Sequence, residues 1–159
     1  MSFQKAHQIS NELAEVVVST NVDLADAANN VTFPHQPAVS GKSFRILEIG
    51  FTVGVSGSAA VSDDIEVGIE SDHEKFIKAA GIVGTQSIVP ADPAVGATFS
   101  TSKGGSNTWI FNPAGLDSDG NAVLSPGESL SYSCSGVANG SHGNLFVRLA
   151  PILSKDVFE

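Results

Sequence analysis

Several segments of this chain alternate apolar and polar residues at every second position, and that period restricts the fold more than any other feature. In FRILEIGFTVGV, residues 44–55, Leu47, Ile49, Phe51, Val53 and Val55 are apolar, while Glu48, Gly50, Thr52 and Gly54 stand between them. Successive side chains on a β-strand point to opposite faces, so a period of two predicts a long strand with one buried face. DIEVGIES repeats the device, with Ile65, Val67 and Ile69 inward and Glu66, Gly68 and Glu70 outward. Two later segments do the same. SLSYSCSG sets Leu130, Tyr132 and Cys134 against intervening serines, and NLFVRLAPIL sets Leu145, Val147 and Leu149 opposite Arg148.

Weaker strand signals fall at residues 31–33, 76–77, 82–89, 97–102 and 108–111. The total comes to about seven to nine strands by period and β-propensity. GVANGSHG, between the last two strands, holds an Asn-Gly pair and predicts a hairpin. Strands do not alternate with helical patterns, so the sheets should be antiparallel. With 159 residues, the expected fold is all-β, an antiparallel two-sheet sandwich of jelly-roll type.

Residues 1–42 read differently. FQKAHQISNELAEVVVST has irregular apolar spacing, with a poorly capped short helix over residues 8–15, and PHQP prolines favour extended backbone around His35. The expected division is an N-terminal arm and lead-in strand over 1–42 and the sandwich over 43–159. An apolar terminus without a repeating pattern needs something to pack on.

The formal net charge of -9, from 8 basic and 17 acidic residues, argues against nucleic acid and against anionic membranes as partners. The basic residues are scattered, with no basic stripe. One cysteine, Cys134, excludes an internal disulfide and a thiolate metal cluster. MSFQKAHQIS lacks a signal-peptide core, and no apolar run approaches the ~18 residues of a membrane span. The expected location is therefore a cytoplasm-like compartment. The sequons at Asn30 and Asn139 are then without consequence.

GLDSDGNAVLSPGE, residues 115–128, poses the sharpest chemical question. Counted from Asp117, the residues Asp117, Asp119, Asn121 and Glu128 have the ligand spacing of a helical calcium loop. That loop needs glycine at its sixth position, where Ala122 stands, and helices on both sides, where Pro113 and a strand stand. The favoured reading is a pair of turns feeding a strand; Asp117, Asp119 and Asn121 stay as weak calcium candidates. In SDHEKF, Asp72, His73 and Glu74 are adjacent, and neighbours on a strand cannot all converge on one ion. His7, His35 and His142 have no partner at zinc-ligand spacing. There is no Gly-x-Ser-x-Gly elbow, and KGGSNT lacks the order of a phosphate loop. Trp109 and Tyr132 are the glycan-contact candidates, with core packing as their default. The sequence thus predicts no catalytic residues and no cofactor.

From about Val31 onward the pattern resembles the small jelly-roll proteins that decorate or cement the capsids of tailed bacteriophages. The likeness is carried by FRILEIGFTVGV, a Gly/Ser/Ala loop, DIEVGIES, VLSPGESLSYSCSG and the closing NLFVRLAPI. It covers roughly three quarters of the chain and is one of pattern, without a diagnostic motif; fibre-tip and lectin-like jelly rolls share the turn before the penultimate strand. The resemblance implies a non-enzymatic homotrimer bound to the major capsid protein through an N-terminal arm, on a virion assembled in a host cytoplasm. Phe3, Ile9, Leu13 and Val17 are the capsid-contact candidates. A carbohydrate-binding module on the same scaffold is the alternative.

Overall fold

The computed structural model describes residues 15–36, 41–57, 63–78, 88–90, 92–136 and 140–152. Ten strands follow one another: β1 (Val16–Asp23), β2 (Ala28–Thr32), β3 (Ser43–Val55), β4 (Asp63–Ile69), β5 (Asp72–Ile77), β6 (Ile88–Val89), β7 (Thr98–Ser100), β8 (Val123–Leu124), β9 (Leu130–Cys134) and β10 (His142–Ile152). They form two five-stranded antiparallel sheets packed as a sandwich. One sheet runs β1-β10-β3-β7 with β8 also on β3; the other runs β2-β9-β4-β5 with β6 also on β4.

Strands close in the chain seldom pair. β1 pairs with β10, β2 with β9, β3 with β7 and β4 with β5, every pair antiparallel. The chain is therefore one long nested hairpin folded around the core, with β4–β5 at its tip. β9 and β10 sit in opposite sheets, so GVANGSHG does not close a hairpin between them; residues 137–139 within it lie outside the described residues. β9 pairs instead with β2 and β4.

The alternation in β3 holds only in part. Ile49, Phe51 and Val53 face the core, but toward the N-terminal end Phe44 and Ile46 do so, and Leu47 does not. The register with β10 passes from Glu48–Arg148 to Ile46–Leu149, so Leu47 is an extra residue that reverses the parity. A second shift at Gly54 leaves Val55 exposed.

One core lies between the sheets. Ile49, Phe51, Leu145, Val147 and Leu149 meet Ile65, Val67, Phe76 and Leu130, all completely buried. Each such side chain stabilises the fold by about 1.5–3 kcal/mol. Phe33 packs edge-on against Tyr132, with centroids 5.5 Å apart at 79°.

The lead-in belongs to this architecture. β1 pairs with β10 over its full length, from Val16–Leu149 to Asp23–His142. β2 begins at Ala28, earlier than the strand expected at residue 31, and bulges between Ala28 and Val31. Among the described residues, the stretch expected as arm and lead-in strand thus supplies β1 and β2 to the two sheets; residues 1–14 lie outside the described residues. The helix expected over 8–15 falls almost wholly there. Of the weaker strand signals, residues 108–111 make only an isolated bridge, Ser100–Thr108.

Candidate functional site

The outer face of the second sheet holds the densest group of functional side chains among the described residues. Glu66 on β4 lies beside Ser133 on β9. β5 then folds back abruptly: Val67 pairs with Ile77 and Ile69 with Asp72, so two steps on β4 answer five on β5. Gly68 makes this approach possible, since a Cβ there would stand 2.1 Å from the Asp72 carbonyl. The surplus backbone in β5 breaks strict alternation and brings His73 and Glu74 to the same place. One donor atom from each of Glu66, His73 and Glu74 lies within 4.8 Å of the others. Adjacency on a strand had argued against such convergence for Asp72, His73 and Glu74; the bulge removes that objection for two of them and adds Glu66.

His73 Nε2 sits 3.2 Å from Glu66 Oε2, and Lys78 Nζ sits 3.1 Å from Glu74 Oε2. Burial, reinforced by the neighbouring Glu74 carboxylate, holds the Glu66 carboxyl above the usual range. Beside the group opens a cavity of about 280 Å³, lined by Asn29, Glu66, His73, Ser133 and Cys134 among others. Cys134 is buried, and its Sγ donates to the Asp26 carbonyl at 3.4 Å.

The serines of β9 also depart from simple alternation. Ser131 and Ser133 are buried although they face away from the core. Asn30, at a φ of 51°, explains this. Its N–H donates to Ser133 Oγ at 2.7 Å, and its Nδ2 donates to the Glu70 carbonyl at 2.7 Å. Thr32 Oγ1 donates to Glu70 Oε1 at 2.9 Å. Side chains from β2 thus reach over β9 to the end of β4 and roof the serines.

The loop from Asp117 is a turn. Asp117 Oδ1 accepts from the Asp119 and Asn121 amides at 2.9 and 2.8 Å, and the Asp117 N–H donates to the Asn121 carbonyl at 2.9 Å. Glu128 is turned elsewhere, binding Lys75 Nζ at 2.7 Å and accepting from the Ser125 N–H at 2.7 Å. The calcium-loop spacing therefore does not gather its ligands. An open cavity of about 620 Å³ lies nearby, between Lys75 and Asp72 on one side and Asn112, Gly115 and Ser125 on the other.

The glycan-contact candidates are in the interior. Trp109 is 2% exposed and Tyr132 8%, so neither offers a ring face to a sugar. A single tryptophan in a glycine-rich loop gives no parity signal, and only packing decides its direction. His142 stands 3.3 Å from Asp23, an ion-pair partner that sequence spacing could not show.

Of the capsid-contact candidates, Phe3, Ile9 and Leu13 lie outside the described residues, while Val17 is 60% exposed on β1. β1 is an edge strand: β10 occupies one side, and no described strand takes the other. Behind it, Glu48 accepts from Ser100 and Ser102 and faces Arg148 at 3.7 Å.

No protein-family model matches this chain, and no curated protein matches it.

Proposed function

We propose that this chain is a non-enzymatic virion structural protein that decorates and stabilises a phage capsid, binding the major capsid protein as a homotrimer. The observation that carries the reading is the nested pairing of β1–β10, β2–β9, β3–β7 and β4–β5. That order supports the jelly-roll type, an architecture common among capsid proteins. The segments that resemble capsid-decorating proteins occupy β3, β4, β9 and β10, the inner strands of both sheets, together with the short β8. An open β1 edge with Val17 exposed lies directly after residues 1–14 and supports a contact made from that end of the chain. The acidic exterior keeps such a particle component soluble.

The shell-contact test follows from the register. A deletion of residues 1–20 would remove five residues of β1 from β10, so the informative deletion is 1–14. The full chain should scatter light as a trimer and co-sediment with shells assembled from the capsid protein of the virus that encodes it. The shortened chain should stay trimeric and lose the shell. A monomer at all concentrations, or undiminished decoration by the shortened chain, overturns the reading. With Trp109 and Tyr132 buried, the carbohydrate-binding alternative loses its two aromatic candidates.

A further inference from the structure

We propose that Glu66, His73 and Glu74 form a binding site for one divalent cation of the zinc class, which clips β5 back onto β4. The site is independent of the capsid reading. Its three donors are one imidazole nitrogen and two carboxylate oxygens from separate side chains, mutually within 4.8 Å. Zinc binds such ligands at ~2.0–2.1 Å in a tetrahedron, which sets neighbouring donors about 3.3 Å apart. His73 Nε2 and Glu66 Oε2 already stand 3.2 Å apart. The Glu74 carboxylate, which Lys78 holds at 3.1 Å, completes the face by a side-chain rotation.

The chemistry of the set narrows the cation. Calcium takes about six to eight oxygens, more than two carboxylates supply, and a nitrogen donor does not suit it. An imidazole with carboxylates suits zinc and its neighbours in the first transition row. The adjoining cavity of about 280 Å³ leaves the fourth position open to water. Two carboxylates crowded together in a half-buried place repel each other, and a dication reverses that repulsion.

The test uses the full, untagged chain stripped of metal. Zinc is titrated by calorimetry, and cobalt by the visible absorption of a low-symmetry site. One equivalent should bind, and His73→Ala and Glu66→Gln should each weaken it by about tenfold or more. His35→Ala and His142→Ala should bind as the parent does. Lys78→Ala, which releases Glu74 Oε2, should bind more tightly and decides the matter if either ligand variant unfolds. Absence of one-equivalent binding, parent-like affinity in a folded His73→Ala, or unchanged affinity in Lys78→Ala overturns the proposal.

Discussion

Replacing Gln36 with alanine should lower stability by about 2 kcal/mol, because this side chain acts as a strand partner. Its Oε1 accepts from the Leu130 N–H at 2.7 Å, and its Nε2 donates to the Leu130 carbonyl at 2.8 Å. Leu130 is completely buried at the start of β9, beyond the last residue of β2. Alanine leaves the Leu130 N–H without its partner, at about 1–3 kcal/mol for an unsatisfied buried donor. The Leu130 carbonyl keeps the Phe33 N–H at 3.0 Å, so its share is smaller. Freeing a glutamine from one rotamer returns about 1 kcal/mol. The net of about 2 kcal/mol corresponds to a fall in Tm of about 4–8 °C for a chain of this size. Urea and thermal unfolding followed by circular dichroism would measure both. Gln36→Glu keeps the acceptor but turns a carboxylate oxygen toward the Leu130 carbonyl, and should be at least as unstable at neutral pH. A loss under about 0.5 kcal/mol for Gln36→Ala, the range of an ordinary surface change, would refute the strand-partner account.

Two further changes test other parts of the fold. Burial alone would raise the Glu48 carboxyl, but hydrogen bonds from Ser100 and Ser102 and the nearby Arg148 bring it below its ordinary value of 4.5. A lowered carboxyl stabilises the fold above that ordinary value and loses the contribution as pH falls through its folded value. Glu48→Gln should therefore cost about 1–2 kcal/mol at neutral pH, with the gap to the parent closing in acid; a gap constant with pH in urea titrations would contradict this. Gly115→Ala would put a methyl carbon 1.6 Å from the Lys75 carbonyl, where the Asn112 N–H is already bound to Phe76. It should destabilise by more than ~3 kcal/mol, and an unfolding midpoint within error of the parent would show that the segment shifts freely.

The inward residues of β4 and β10 were legible because the extra residues at their register shifts fall on the partner strands β5 and β3: Ile65, Val67, Ile69 and Leu145, Val147, Leu149 all reach the core as their period requires. β3 was legible in kind but not in detail, since an inserted residue at Leu47 carries no mark in composition. The turn at Asp117 was legible because a short acidic side chain bonds to amides two and four residues on, a strictly local event.

Contacts that join residues distant in the chain were not legible. Gln36 in PHQP looked like connecting chain, with prolines favouring extension. Instead His35 adopts a φ of 53°, and Gln36 meets a backbone 94 positions away. Trp109 read as a core residue by default, and it is buried, but the partners it packs against were not legible. The Glu66, His73 and Glu74 group depends on a bulge whose only trace in the sequence is Gly68.

By itself the sequence determined the class of fold and which face of most strands turns inward, because side-chain alternation and turn chemistry act between near neighbours. The tertiary structure alone decided which strands pair, which sheet receives β9 or β10, and which polar groups meet on the outer face. Those outcomes depend on how far a backbone bends at a bulge and on what it meets there, and neither is encoded within a few residues.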